Sequence, residues 1–161
     1  MLIFGIGLGF ALAFAIGAND VANSMATAVG AKAITPKQAV LIAAVLEFLG
    51  ALLFGSHVTS TIMKGIVKWE AVNDPNILLY GAIATLVATT AWILLATFWS
   101  MPISTTHSVV GGMMGFGIVA AGWHAVNWMT MLKIALTWII SPIFGALLSY
   151  AVFKIIAWTI L

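Results

Sequence analysis

Five apolar stretches fill most of the chain, at about residues 2–16, 36–55, 76–99, 109–121 and 129–161, and polar side chains gather mainly between them. The first run flows directly into Gly17-Ala18-Asn19-Asp20-Val21-Ala22-Asn23-Ser24 and predicts one membrane helix over 2–31 with this polar motif inside it. It lacks a positive n-region, so it reads as a helix that stays in the protein rather than a signal peptide. Ala33-Ile34-Thr35-Pro36-Lys37 predicts a turn and a helix start, with Thr35 as cap and Pro36 at the first helical position. The second helix is expected over 36–55. Residues 56–75, with His57, Thr59, Ser60, Thr61, Lys64, Lys68, Glu70, Asn73 and Asp74, predict a short amphipathic piece and then a loop outside the bilayer.

A third helix is expected over 76–99, with Thr85, Thr89 and Thr97 forming a mildly polar face. The segment 102–121 opens with Pro102-Ile103-Ser104-Thr105-Thr106-His107-Ser108. Its apolar part covers roughly 13 residues, or about 20 Å of helix, short of the roughly 20 residues that cross a bilayer. It predicts a re-entrant hairpin or broken helix, tolerated at that depth only where protein buries it or a wet cavity meets it. A last helix, 129–161, is expected to kink at Pro142.

Composition settles the class. The chain is 63% hydrophobic and only 6% charged, with a mean hydropathy of +1.19. A soluble domain needs about a quarter charged residues for its surface. The fold class is therefore all-α membrane protein, with about four to five transmembrane helices plus a re-entrant helical hairpin. All six basic residues are lysines, mostly near expected helix ends where they can snorkel. The net charge of +2 gives no sign of nucleic acid. The absence of cysteine excludes disulfides and thiol chemistry. The lysine-only basic set and short loops point to a bacterial or archaeal plasma membrane.

Two acids fall inside expected membrane helices. Gly17 and Asn19 can break or locally unwind the first helix. If the helix resumes at Asp20, then Asp20, Asn23, Ser24 and Thr27 share one face. A carboxylate and an amide oxygen on adjacent turns, with carbonyls freed by a break, suit Na⁺ coordination, and equally a proton-carrying carboxylate. An Asp at a membrane helix centre costs about 2.5–3.5 kcal/mol, so a functional role is the default over a merely satisfied buried acid. Glu47, flanked by Val45, Leu46, Phe48 and Leu49, is the second such acid, readable as a cation or proton site, a gate, or a structural hydrogen bond.

Ser104, Thr105, Thr106 and Ser108 place four hydroxyls in five residues. A helix beginning near Ser104 aims N–H groups and hydroxyls at one point, an anion site; the bland alternative is hydroxyls bonded back to their own helix. The lack of Arg excludes a bidentate guanidinium clamp, which suits a site that must also release its anion. His107 lines the cavity or holds the hairpin. Gly111 and Gly115 read as close helix packing. Three scattered His make a weak zinc signal.

These motifs, GANDVANS…TAVGAKAIT, LEFLGALLFGSHVTSTIMKGIV and MPISTTHSVVGGMMGFGI, together resemble the inorganic phosphate transporter family of the sodium/phosphate symporter type, across nearly the whole chain. The resemblance implies two inverted copies of such a unit around one site. It implies that Asp20 and Asn23 bind Na⁺, that Ser104, Thr105 and Thr106, with Ser108, bind inorganic phosphate, and that Glu47, Asn19 and His107 serve coupling or gating. The chain has one copy of each motif, so residues 1–161 read as one transporter repeat that requires a second repeat, either a missing half or a second copy in a dimeric assembly within membrane lipids. No cofactor is expected besides the coupling ion, Na⁺ or alternatively H⁺, and no enzymatic activity. A sulfate or proton-coupled phosphate permease and a non-transporting packing subunit are the alternatives, with an intramembrane hydrolase using Ser104 or Ser108 and His107 as a distant third. Tandem inverted copies need an odd number of crossings. Four crossings plus a hairpin give an even one, and 57–68 is the first place to look for the difference.

Overall fold

The computed structural model describes residues 2–72 and 74–159. Asn73 and the side chains of Thr61 and Lys64, all within the expected amphipathic piece and loop of 56–75, lie outside the described residues. The chain is helical in five long elements: α1 Leu2–Gly30, α2 Pro36–Gly65, α3 Pro75–Phe98, α4 Thr105–Ala121 and α5 Trp128–Thr159, with single 3₁₀ turns at Trp69–Ala71 and Trp123–Ala125. It divides into two units, residues 1–126 and 127–161.

Local chemistry explains most of the boundaries. Thr35 and Gln38 form a reciprocal capping box before α2, with Gln38 N donating to Thr35 Oγ1 at 3.3 Å and Thr35 N donating to Gln38 Oε1 at 2.9 Å. Asp74 Oδ1 accepts from Asn76 N at 2.8 Å and starts α3, with Pro75 at its first position. Two helices end with a left-handed residue that is not glycine. Lys32 (φ 59°) follows α1 and Ser100 (φ 56°) follows α3. At each, one N–H bonds three residues back and the next bonds five back, as in Ser100 N to Thr97 O at 2.9 Å and Met101 N to Ala96 O at 2.8 Å.

α2 differs from expectation: it continues ten residues past 55, through the stretch expected as a separate amphipathic piece. Two of the polar residues there bond back to their own helix. Thr59 Oγ donates to Gly55 O at 2.8 Å and Ser60 Oγ to His57 O at 2.9 Å, so a polar run need not leave the helix.

α3 and α4 are antiparallel partners. The Phe116 ring lies directly on the backbone of Gly81, and Gly112 faces Thr85 and Thr89. Gly81, Thr85, Thr89, Ile93 and Ala96 form the buried face of α3, which includes two of the three threonines expected to make it polar. α1 also packs on α3. At the far end of α4, Val67 fills the space beside Gly117. Lys68 N donates to Ala125 O at 2.8 Å, and Val67 pairs with Val126 in an isolated antiparallel bridge. Ile66, Val67, Ala125 and Val126 are all buried there, clipping the end of α4 to the end of α2.

The re-entrant element expected at 102–121 consists of an extended stretch, 101–104, followed by α4 as a single 17-residue helix. Its other arm is α3. The tip joining them meets α1 at Asn19, 11 residues before α1 ends at Gly30, or about 16 Å short of that end at the helical rise. α4 then returns to the end of the unit where α2 finishes. Among the described residues, four helices are long and apolar enough to cross a membrane: α1, α2, α3 and α5.

The outer faces remain apolar. Phe10, Phe14, Leu46, Phe48, Leu52 and Leu53 are all more than half exposed, as lipid or a further protein surface requires. In the second unit α5 continues as helix on both sides of Pro142, and Lys154 Nζ lies 5.8 Å from the centre of the Tyr150 ring one turn earlier.

The contact of Phe116 with Gly81 gives a test of the helix pair. Gly81→Ala places a methyl group inside the ring and is expected to destabilise by about 1–3 kcal/mol, while Gly81→Ala with Phe116→Leu recovers part of that. Thermal unfolding of the detergent-purified protein measures both. An unchanged midpoint for Gly81→Ala would contradict the packing.

Candidate functional site

α1 passes through GANDVANS as unbroken α-helix. The expected break at Gly17 and Asn19 is absent. The reason lies in what Asn19 does with its amide. Asn19 is only 5% exposed. Its Nδ2 donates to Thr97 Oγ1 at 3.0 Å and to Met101 O at 3.2 Å, and its Oδ1 accepts from Ile103 N at 3.2 Å. The side chain is fully engaged with the α3–α4 tip and does not compete for its own helical backbone.

The tip supplies those partners because of Pro102. Proline has no N–H, and the residue before it avoids the helical region. Pro102 keeps Met101 out of the helical region and α4 begins only after its Ser104 cap, so the carbonyls of Met101 and Ile103 turn toward α1. Ser104 then caps α4, its Oγ accepting from His107 N at 3.3 Å. Thr105 and Thr106 follow as the first two helical residues, whose N–H groups no helix satisfies.

With α1 regular, Asp20 and Asn23 lie on one face, as expected of a continuous helix. Asp20 Oδ2 accepts from Thr105 Oγ1 at 2.9 Å. Asn23 Nδ2 sits between two oxygens, donating to Asp20 Oδ1 at 3.4 Å and Ile103 O at 3.3 Å. Both bonds are long for an amide donor. The Asn23 amide turned over brings its own oxygen to the same place. A carboxylate oxygen, an amide oxygen and a main-chain carbonyl then face one point, a donor set of hard oxygens that suits a cation such as Na⁺. The same carboxylate stands at the positive end of α4.

The structure thus brings Asp20, Asn23 and Thr105 together, and holds Asn19 beside them. Ser104 and Ser108 are neighbours with their hydroxyls occupied: Ser108 Oγ donates to Ser104 O at 3.0 Å, the back-bonding alternative. Thr106 is exposed and makes no side-chain hydrogen bond to a described residue. His107 is exposed in the first turn of α4. Glu47 lies exposed on α2 and makes no hydrogen bond to the Asp20 cluster. Beside the cluster, a cleft of about 550 Å³ is walled by Ala22, Asn23 and Ala26 on one side and Thr97, Met101 and Pro102 on the other.

Sequence reasoning missed Met101, Ile103 and the role of Thr97. The first two act through main-chain atoms, and their only signal is the adjacent Pro102. Thr97 is visible as a polar position on α3, but its partner lies 78 residues away.

Comparison with known proteins adds a family. The model of the "Phosphate transporter family" matches residues 16–161. A Pyrococcus furiosus protein named "Putative phosphate permease" is 55% identical over 161 residues, all of this chain and 39% of that protein. The Arabidopsis thaliana "Inorganic phosphate transporter 2-1, chloroplastic" is 51% identical over 149 residues, 92% of this chain and 25% of that protein. A solved structure of "The sodium-dependent phosphate transporter" matches with a TM-score of 0.92 and 61% identity, covering 98% of this chain and 39% of that one. The chain therefore spans well under half the length of these relatives.

The two asparagines of the motif should separate in a stability experiment. Asn19→Ala removes the acceptor of the Ile103 N–H and a donor to the Met101 carbonyl at a residue only 5% exposed and is expected to cost about 1–3 kcal/mol. Asn23→Ala, at an exposed position with long bonds, should cost less than about 1 kcal/mol. Thermal unfolding of both variants in detergent checks the order, and equal losses would contradict it.

Proposed function

The chain belongs to the phosphate transporter family, and from that premise we propose that it forms one half of a cation-coupled inorganic phosphate transporter, with Na⁺ as the coupling ion. The observation that best supports this reading is the 2.9 Å bond between Asp20 and Thr105, which joins the carboxylate proposed to hold the cation to the helix start proposed to hold phosphate.

The mechanism follows from charge. Phosphate binds at the start of α4, to the N–H groups of Thr105 and Thr106 and the hydroxyls of Ser104 and Thr106, with Ser108 behind them, while the Thr105 hydroxyl proton goes to Asp20. Asp20 occupies the same helix end with a negative charge. An anion brought within about 4 Å of it is repelled by about 4 kcal/mol at an effective dielectric constant of 20, roughly a thousandfold in affinity. A cation held by Asp20, Asn23 and the Ile103 carbonyl cancels that repulsion. Each ion then raises the affinity for the other, and the empty and doubly loaded states are the favoured ones. Exchange of the site between the two sides requires movement against a second repeat. Glu47 and the apolar outer faces belong to that contact: a carboxylate left facing lipid at a helix centre costs about 2.5–3.5 kcal/mol, and a polar group of the second repeat offsets it.

The test is uptake of radioactive phosphate into proteoliposomes containing the protein of which this chain is part, with and without an inward Na⁺ gradient. Na⁺-dependent uptake is expected, and Asp20→Asn is expected to abolish its Na⁺ dependence. Uptake that follows a proton gradient and ignores Na⁺ would replace the coupling ion. Uptake of sulfate and not phosphate would replace the substrate. The chain reconstituted alone shows whether two copies suffice.

A further inference from the structure

Thr97 has no place among the ligands, yet both the proton and a lone pair of its hydroxyl are engaged at the tip. It donates to Ile93 O at 2.8 Å, one turn back on α3, and accepts from Asn19 Nδ2 at 3.0 Å. A hydroxyl has a single proton. Because that proton points at Ile93 O, the oxygen can present only lone pairs to Asn19. Thr97 therefore dictates which end of the Asn19 amide faces it. The nitrogen faces Thr97 and Met101 O, and the oxygen is left to accept from Ile103 N at 3.2 Å. Ile103 is in turn gripped on its other side, its carbonyl accepting from Asn23 at 3.3 Å.

From this geometry we infer that Thr97 is a positioning residue for the cation site, acting through Asn19 on Ile103. The relay runs Ile93 O, Thr97 Oγ1, Asn19 amide, Ile103 N–H, and it holds the Ile103 carbonyl in line with Asn23 and Asp20. Asn19 is only 5% exposed, so a lost protein partner is costly to replace. With the Thr97 hydroxyl removed, one Asn19 N–H is left unpaired in a buried place, and the amide reorients to satisfy it. The Ile103 N–H then loses its acceptor and the carbonyl on the same residue leaves the cluster. Thr97 touches neither ion. Its removal should weaken the cation site, while phosphate, held by the start of α4, is little affected once the cation site is saturated.

The inference rests on the proposed Na⁺ coupling for its transport readout, so two measurements are paired. The variants are Thr97→Val, which keeps the shape and deletes the hydroxyl, and Thr97→Ser, which keeps the hydroxyl. In the full-length protein in proteoliposomes, Thr97→Val is expected to raise the half-saturating Na⁺ concentration for phosphate uptake about tenfold. The half-saturating phosphate concentration at saturating Na⁺ should stay within about twofold, and Thr97→Ser should restore both. A general structural defect would instead shift both constants together or lower only the maximal rate, and either result overturns the inference. The second measurement is hydrogen–deuterium exchange over residues 101–104 in lipid nanodiscs. Pro102 has no amide proton, so the stretch reports chiefly Met101, Ile103 and Ser104. The Ile103 amide should exchange at least about tenfold faster in Thr97→Val and at the original rate in Thr97→Ser. Unchanged Ile103 exchange in Thr97→Val sinks the relay whatever the coupling ion is. Accelerated exchange in a protein whose uptake ignores Na⁺ keeps the relay and removes the Na⁺ reading.

Discussion

A backbone that leaves the helix inside a bilayer must find its hydrogen bonds in protein, because hydrocarbon offers none. At the tip between α3 and α4 one buried amide, Asn19, meets that demand. It accepts from Ile103 N and donates to Met101 O, and its remaining N–H goes to Thr97. Everything else at the site follows from that anchorage. It sets the depth at which the re-entrant pair stops along α1. It brings the residue after Asn19 in sequence, Asp20, to the first residue of α4, Thr105.

The arrangement joins two charge problems in one place. An acid is costly within a membrane, and an anion site at a helix start is disturbed by any other negative charge nearby. Here the acid takes part of the helix-end stabilisation for itself, through Thr105. A cation among the oxygens of Asp20, Asn23 and Ile103 relieves both problems at once. The two ends of α4 are secured differently. Its far end is clipped by the Val67 and Val126 bridge and the tight contact of Gly117 with Val67. Its near end depends on a few side-chain bonds around Asn19 and Asp20.

Much of the fold was legible because its signals are local. Thr35 with Pro36 marks a helix start, and the apolar runs give the spans, while Asp74 and Pro75, read as loop, start α3. The extension of α2 was not legible, because Thr59 and Ser60 look like loop residues until their hydroxyls are seen to bond their own helix. The pairing of α3 with α4 was hidden for another reason: Gly81 and Phe116 meet across 35 positions, and no local pattern encodes that contact. At the site, residue types with chemistry in their side chains stood out, namely Asp20, Asn23 and Thr105. The main-chain partners at Met101 and Ile103 did not, since any residue type carries the same carbonyl. Glu47 was legible as an acid in a membrane helix. Its location outside the Asp20 cluster was not, because a position along α2 says nothing about which neighbour it faces.

The central claim is that cation and phosphate share one site through the Asp20 and Thr105 contact. Equilibrium binding tests it most directly: the dissociation constant for phosphate measured with and without saturating Na⁺, and that for Na⁺ with and without saturating phosphate, on purified full-length protein. The account predicts that each ion tightens the other by the same large factor, as linkage demands of a shared site. Phosphate affinity that does not change with Na⁺ would contradict it.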